Sequence, residues 1–221
     1  MAAAGAKTFM WTNAAETALC YLDKQPTPGC SEVLRLSMDP AGVNLLVLRM
    51  LEHVDPKKFV VTFDIDATVL KEDARAKSGV QRNHPIGQIY DVCTRRGIGV
   101  YFITARPRVP GNEKATREQL AALGYTKFEE PLYMRPNSLD TWLKIAQFKF
   151  KCRREILEKT GKDIFINVGD SLTDVVDVKS KDELDALTAN VSPHAYCLFK
   201  PREARVLFAY KLPLPKEKKS K

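Results

Sequence analysis

The sequence predicts an α/β fold in which a central parallel sheet of about five strands carries helices on both faces. Short apolar segments rich in β-branched residues alternate with longer segments that have apolar residues at helical spacing. The short segments are apolar throughout rather than at every second position, which is typical of strands buried on both faces. Because strands and helices alternate along the chain, we expect parallel strands joined by crossover helices.

The composition agrees with this fold class. The chain has 221 residues, 44% of them hydrophobic, which suffices for one α/β domain with an additional segment. No run approaches the roughly 18 apolar residues that a membrane span requires, so no membrane partner is predicted. The N-terminus lacks a basic region followed by an apolar block, and the five cysteines are scattered. These features predict reduced thiols and a cytoplasmic location.

Residues 1–56 are interpreted as a helical N-terminal extension. The segment "SEVLRLSMDPAGVNLLVLRMLEHV" (31–54) contains two apolar helical stretches that are broken at Asp39-Pro40. Residues 57–215 form the predicted main domain. The tail at residues 216–221 is basic and is expected to be disordered, although its charge leaves a nuclear location open.

The main domain is expected to alternate strands and helices in chain order. Gly97, Gly124 and Gly161 each follow a helical pattern and are placed as helix ends. The predicted strands are "KFVVTFDI" (58–65), "IGVYFIT" (98–104), "PLYMR" (131–135), "DIFINVG" (163–169) and "HAYCLF" (194–199). The predicted helices are "HPIGQIYDVCTRRG" (84–97), "EKATREQLAALG" (113–124) and "LDTWLKIAQFKFKCRREILEKTG" (139–161).

Polar residues recur where the predicted strands end. In a parallel sheet these carboxyl ends meet at one edge, where ligands bind. A single aspartate in such a position is more often a helix cap, but a set converging on one edge indicates a site. The set comprises Asp64, Asp66 and Thr68 after the first strand, Thr104, Ala105 and Arg106 after the second, and Asp170 and Asp174 after the fourth.

The chemistry of this set favours a metal-dependent phosphoryl transfer. Neighbouring carboxylates repel one another, and Mg²⁺, which prefers hard oxygen ligands, removes that conflict. A carboxylate beside Mg²⁺ can attack a phosphoryl group and form an aspartyl-phosphate. Asp66 reaches the site only if the chain coils after the strand, and it could then protonate the leaving oxygen and activate water. Thr104, backbone N–H groups and a lysine could hold the phosphoryl oxygens.

The motifs resemble those of a known family. "DIDAT" (64–68), "ITAR" (103–106), a lysine within "FKFKCR" (148–153) and "GDSLTD" (169–174) are similar to the four motifs of the haloacid dehalogenase (HAD) superfamily of phosphohydrolases. The spacing is closest to the acid phosphatase branch (subfamily IIIB-like), which includes plant acid phosphatases, vegetative storage proteins and bacterial class B and C enzymes. The resemblance covers roughly residues 57–215 and implies a Rossmann-like HAD fold.

The resemblance also implies roles for individual residues. Asp64 is similar to the nucleophile of the family, Asp66 to its general acid/base and Thr104 to its phosphate-binding hydroxyl residue. Asp170 is similar to a ligand that shares Mg²⁺ with Asp64 and the backbone carbonyl of Asp66. Asp174 is similar to a further acidic residue near the metal.

The lysine and the phosphate loop leave alternatives open. "FKFKCR" resembles "YKSEKR" of the branch and selects Lys149, with Lys151 and Lys144 as the other candidates. Any of the three could instead be a solvent-facing helix lysine. In the second motif Ala105 replaces the usual glycine, which adds a methyl group where the backbone nears phosphate.

Further candidates for substrate contact are Thr68, Ala105 and Arg106. Arg153 matches an arginine of the branch and could pair with a carboxylate.

The spacing of the motifs predicts a minimal cap. Between Thr68 and Val100 one helix must fit, which leaves about fifteen residues for a loop, too few for a packed domain. We therefore expect an open site with a small flap. The leading hypothesis is a Mg²⁺-dependent phosphomonoester hydrolase that acts through an aspartyl-phosphate on a phosphorylated small molecule or a phosphoprotein.

Alternative functions follow from the family and from the charge. The storage proteins of the branch suggest a weakly active or non-catalytic binding protein on the same fold. The net charge of +8 permits a phosphatase for nucleotides or nucleic-acid ends, or a nucleic-acid-binding protein, although no nucleic-acid-binding motif is present. A homodimer is also compatible with the sequence.

Overall fold

A mixed sheet forms the centre of the protein, which the computed structural model describes over residues 23–27, 30–35, 40–72, 79–137, 141–190, 197–201 and 205–212. The strands are β1 (Asp23–Thr27), β2 (Cys30–Arg35), β3 (Phe59–Phe63), β4 (Leu70–Glu72), β5 (Val80–Arg82), β6 (Gly99–Pro107), β7 (Tyr133–Arg135), β8 (Asp163–Gly169), β9 (Cys197–Pro201) and β10 (Val206–Lys211). The helices are α1 (Pro40–Leu51), α2 (His84–Arg95), α3 (Asn112–Ala122), α4 (Trp142–Thr160), α5 (Leu172–Val175) and α6 (Lys181–Asn190).

The strand order confirms the predicted fold class. Five strands run parallel in the order β10-β8-β3-β6-β7, and helices cover them. Strand β3 lies in the middle, with β8 and β6 as its neighbours. The first aspartates after β3 therefore emerge at the centre of the carboxyl edge of the sheet, where ligands bind in folds of this kind.

Both faces of the parallel sheet are buried. Val61 of β3 packs in a core cluster with Val47 of α1 and Ile89 of α2. Val60, the preceding residue, points the opposite way and packs with Ile156 of α4. Burying one such aliphatic side chain contributes roughly 1.5–3 kcal/mol, so the apolar run of β3 is explained by helices on both of its sides.

The fifth parallel strand differs from the prediction. It is β10 rather than "HAYCLF", whose residues 197–199 belong to β9 and whose residues 194–196 lie outside the described residues. β9 pairs antiparallel with β10, and only β10 runs parallel to β8. The connection from Pro201 to Val206 is too short for a crossover helix, so two consecutive strands here must be antiparallel.

The N-terminal extension contains strands as well as a helix. The second predicted helical stretch is confirmed as α1, but the first is wrong at residues 31–35, which belong to β2, and its residues 36–39 lie outside the described residues. β2 pairs antiparallel with β9 and with β1, which satisfies backbone groups at a sheet edge. The pairing of β2 with two neighbouring strands therefore outweighs the helical spacing of its apolar residues. The boundaries at residues 56 and 215 stay a prediction, and residues 216–221 lie outside the described residues.

A small flap follows the first motif, as predicted. Strands β4 and β5 pair antiparallel with each other in a separate two-stranded sheet. Arg82 of β5 anchors its base, because the guanidinium binds Asp91 of α2 at 2.6 Å and lies 4.8 Å from the centre of the Tyr125 ring. Among the described helices, none is long and apolar enough to cross a membrane. The cytoplasmic location and the homodimer stay predictions.

Candidate active site

The chain coils at the end of β3, as the role predicted for Asp66 requires. Asp64 continues the strand, and its backbone N–H donates to the carbonyl of Val168 at 2.8 Å. The N–H groups of Thr68 and Leu70 then both donate to the carbonyl of Ile65, at 3.3 and 3.0 Å. Ala67 has a positive φ of 56°, which the turn imposes on a non-glycine residue. Both aspartates therefore lie at the carboxyl edge of the sheet.

Lys149 lies between two aspartates. Its Nζ donates to Oδ1 of Asp64 at 2.6 Å and to Oδ1 of Asp174 at 2.5 Å. Its side chain is only 3% exposed, because α4 packs on the sheet and directs this residue towards the carboxyl edge. Lys151 and Lys144 are exposed on the same helix. Of the three candidate lysines, Lys149 is thus the one that the structure places in this site.

Asp174 is fixed on all sides by hydrogen bonds. Ser171 caps α5 in a capping box, and its N–H donates to Oδ2 of Asp174 at 2.9 Å. The backbone carbonyl of Asp174 accepts from Asn167 Nδ2 at 2.5 Å and from Arg153 Nη1 at 3.0 Å. Asn167 in turn accepts from the hydroxyl of Thr62 at 2.6 Å.

Ser171 and Asn167 were missed by sequence reasoning. Both carried a signal, since "SLTD" is a capping box and Asn167 is a polar residue inside a buried strand.

Gly169 allows α5 to approach the end of β8. A Cβ atom at this position would lie 2.2 Å from Cβ of Asp174, a distance that carbon atoms do not reach without movement. A side chain at residue 169 would therefore displace Asp174, together with the lysine that it holds.

The motifs imply phosphatase activity, and on that expectation Gly169→Ala should lower kcat/KM by about 100-fold, because displacing a reacting group by about 1 Å has such an effect. Steady-state hydrolysis of p-nitrophenyl phosphate measures this. Gly99→Ala is the control, since Gly99 lies at the opposite end of β6 and a Cβ there would approach Val60 only to 3.2 Å. Equal activity of the two variants would show that the position of α5 is unimportant.

The acidic residues at the edge form a cluster that could hold a divalent metal ion. Asp64, Asp170 and Asp174 each offer a carboxylate oxygen, and these oxygens lie within 4.8 Å of one another. The side chain of Asp66 is not part of this group and is 56% exposed. A set of oxygen ligands at a strand end and on a capped helix suits a hard divalent cation.

Burial and mutual repulsion shift the ionisation of these groups. Burial raises the pKa of Asp64 to about 7, although Lys149 acts in the opposite direction, and Asp174 adds to the rise. Burial and the carboxylates of Asp174 and Asp64 raise the pKa of Asp170 to about 8. Burial lowers the pKa of Lys149, but Asp174 and Asp64 outweigh it and hold that pKa above its usual value. The site therefore disfavours the ionised form of two of its carboxyl groups, a conflict that a bound cation would remove.

The second motif lies beside the first. Thr104 is fully buried, and its Oγ1 accepts from the N–H of Arg106 at 3.1 Å. The guanidinium of Arg106 donates to both carboxylate oxygens of Asp66, from Nε at 2.8 Å and from Nη2 at 2.6 Å. Ala105 continues β6, and its carbonyl accepts from Nε of Arg135 at 2.5 Å. The pairing of β6 with β7 shifts register between Thr104 and Pro107, so Ala105 lies in an irregular part of the strand.

Thr68 lies within the coil that follows β3. Its carbonyl accepts from Asn83 Nδ2 at 2.6 Å, while its buried hydroxyl has no hydrogen-bond partner among the described residues. The predicted residues are thus brought to one edge, and their individual roles stay predictions. Asn83, which carried no signal in the sequence, is a further residue that supports this coil.

Comparison with known families now identifies the chain. A sequence model of the HAD superfamily, subfamily IIIB (acid phosphatase), matches residues 76–200, more than half of the chain. The chain belongs to this family. The resemblance inferred from the motifs is confirmed, and the protein is a phosphatase. No curated protein matches the chain.

The part of the chain that the family model matches does not include "DIDAT". It covers Thr104, Lys149, Asp170 and Asp174 but begins after residues 64–68. The structure supplies the connection, because β3 lies between β6 and β8, and Asp64 contacts Lys149 directly. The first motif therefore belongs to the same site as the matched motifs.

Proposed function

We propose that this phosphatase hydrolyses phosphomonoesters with the help of Mg²⁺ and through an aspartyl-phosphate on Asp64. The observation that carries the proposal is the placement of Lys149, whose ammonium binds both Asp64 and Asp174 at the edge where Asp170 also lies. A buried carboxylate held beside a cation and two more carboxylates is suited to attack a phosphorus atom that arrives with its own negative oxygens.

The reaction then has two balanced steps. In the first, an oxygen of Asp64 forms a bond to phosphorus as the bond to the ester oxygen breaks, and Asp66 gives a proton to the departing oxygen. In the second, Asp66 takes a proton from water, the water oxygen bonds to phosphorus, and the bond to Asp64 breaks. Inorganic phosphate leaves and Asp64 returns as a carboxylate. Thr104 and Lys149 contact the phosphoryl oxygens during both steps.

The ligands proposed for Mg²⁺ are the carboxylates of Asp64 and Asp170 and the backbone carbonyl of Asp66, with Asp174 close by. When bound, the ion supplies positive charge against the phosphoryl oxygens and the crowded carboxylates. Asp174 already accepts hydrogen bonds on both oxygens, from Lys149 and from the N–H of Ser171. Its main role is therefore to hold Lys149 in place.

Arg106 must move before Asp66 can act. In the structure the guanidinium binds both oxygens of Asp66, and the arginine side chain is 20% exposed. A group that occupies both oxygens competes with the leaving oxygen for Asp66. We propose that the substrate separates the two residues and that Arg106 then contacts the substrate.

We expect p-nitrophenyl phosphate to be hydrolysed in the presence of Mg²⁺ and not after treatment with EDTA. Activity should return when excess Mg²⁺ is added back, which separates loss of metal from loss of fold. Trapping with beryllium fluoride, which mimics the aspartyl-phosphate, would test the intermediate. Full activity in EDTA would contradict the metal requirement. No turnover together with strongly salt-dependent binding of nucleic acid would favour the non-catalytic alternative.

A further inference from the structure

A groove runs along one face of α3 and begins at Arg106. Its volume is about 290 Å³. It is lined by Arg106, Asn112, Ala115, Thr116, Gln119, Ala122 and Leu123. These helix positions recur every three or four residues, so they share one face and span about 16 Å of helix. The groove is open to solvent, since Ala115 and Ala122 are exposed.

Arg106 joins this groove to the acidic edge of the sheet. Two of its nitrogens bind Asp66, and the third, Nη1, donates to the hydroxyl of Thr116 at 3.2 Å. Thr116 is fully buried and lines the groove. The guanidinium of Arg106 therefore connects Asp66, the proposed proton donor, to Thr116 of α3. Because Asp66 protonates the leaving oxygen, the leaving group must depart on this side of the site.

The lining of the groove has a definite polarity. Arg106 supplies a positive charge, and Asn112, Thr116 and Gln119 supply neutral hydrogen-bonding groups. No carboxylate is among the described residues that line it. Within the same described part of the chain, the Gln119 amide has no hydrogen-bond partner. The N-terminus of α3 also lies at this end, and its N-cap residue, Gly111, provides no side-chain cap.

We propose that the groove binds a leaving group that carries a second anionic group, either a carboxylate or a second phosphate. The fork of Arg106 already holds a carboxylate in bidentate geometry, and the anionic group of the substrate takes the place of Asp66. This exchange frees Asp66 at the moment when the leaving oxygen is in place. The inference rests on the proposed function, since it assigns the leaving-group side of the same site.

The test compares matched aryl phosphates. 4-Carboxyphenyl phosphate and its carboxamide analogue have nearly the same shape and differ in charge, and para-phenylene bisphosphate replaces the carboxylate by a phosphate. We expect kcat/KM for either anionic compound to exceed that for the carboxamide by about tenfold, the effect of one partly exposed charge-assisted hydrogen bond. A preference for one of the two anionic compounds shows whether the groove binds a carboxylate or a phosphate. If kcat/KM for both anionic compounds lies within twofold of that for the carboxamide, the proposal is overturned.

Substitutions on α3 test whether the groove causes the preference for the anionic substrates. Ala115→Leu fills the groove and should bring the ratio close to one. Ala121→Leu makes the same substitution at an exposed alanine on the same helix that does not line the groove, and it should leave the ratio unchanged. A tenfold preference that survives in Ala115→Leu would place the recognition elsewhere and overturn the assignment to the groove.

A failure of the proposed function is recognised separately. p-Nitrophenyl phosphate serves as the neutral reference, and no turnover of any compound would contradict the hydrolase activity itself. The dissociation constants of 4-carboxyphenyl phosphate and its carboxamide, measured with Asp64→Asn protein and Mg²⁺, then decide the inference without turnover. Tighter binding of 4-carboxyphenyl phosphate supports the proposal that the groove binds an anionic group, and equal binding of the two compounds overturns it.

Discussion

Asp64→Asn is expected to abolish phosphomonoester hydrolysis while the protein stays folded. The amide oxygen is a poor nucleophile towards phosphorus, so kcat should fall by at least about 10³-fold, as when other enzymes lose a catalytic nucleophile. Beryllium fluoride should no longer be trapped at this position. Hydrolysis of p-nitrophenyl phosphate with Mg²⁺ measures the first effect, and protection of the protein by beryllium fluoride measures the second.

The folded state should tolerate this substitution because asparagine removes a charge that the site disfavours. Burial raises the pKa of Asp64, so its ionised form is costly in the folded protein. Lys149 keeps its hydrogen bond to Asp174 at 2.5 Å. The thermal midpoint should therefore be close to that of the unmodified protein. Asp185→Asn, at an exposed position of α6, is the matched control.

Activity within tenfold of the control would contradict the assignment of Asp64 as the nucleophile. Loss of both activity and cooperative unfolding would instead show that residue 64 is needed for folding.

Much of the fold could be predicted because its pattern is local. The apolar runs of β3, β6 and β8 and the helical pattern of α4 are each visible in a short window of sequence. The two errors involve pairing between distant segments. β2 is extended because it pairs with β9, and β10 is the fifth parallel strand because it pairs with β8, from which α5, α6 and β9 separate it in the sequence. Neither relation is visible in a short window.

The residues of the site could be predicted because parallel strands bring their carboxyl ends to one edge. The motif resemblance favours Lys149 over Lys151 and Lys144, and the rotation of α4 shows that Lys149 is the one buried between Asp64 and Asp174. The pair formed by Arg106 and Asp66 could not be predicted, because it joins the end of β6 to the coil after β3, where the side-chain directions depend on the turn at Ala67.

Lys149→Met is expected to have the second large effect, and in this case on stability as well as activity. Methionine is unbranched and of similar length, but it leaves Asp64 and Asp174 buried without their cation. Removing one partner of a buried ion pair costs about 3–5 kcal/mol of unfolding free energy. Lys151→Met on the exposed side of the same helix is the control and should change stability by less than about 0.5 kcal/mol.

The loss of stability in Lys149→Met should depend on pH in a defined direction. A carboxyl group whose pKa is raised in the folded protein stabilises it fully below its unfolded pKa of 3.8, and this stabilisation is lost as the pH rises through the folded value, about 7 for Asp64. Lys149 lowers the pKa of Asp64, so without the lysine that pKa rises further. Lys149→Met should therefore lose little stability near pH 5 and most of it near pH 8.

Urea unfolding of the two lysine variants in EDTA, at about pH 5 and about pH 8, measures this difference without competition from a metal ion. A destabilisation of Lys149→Met that is equal at both pH values would mean that lost packing, and not uncompensated carboxylates, is the cause. A larger loss near pH 8, absent in Lys151→Met, would establish that Lys149 stabilises the ionised carboxylate of Asp64 as a buried ion pair. Such a pair is the condition under which Asp64 can act as a nucleophile at neutral pH.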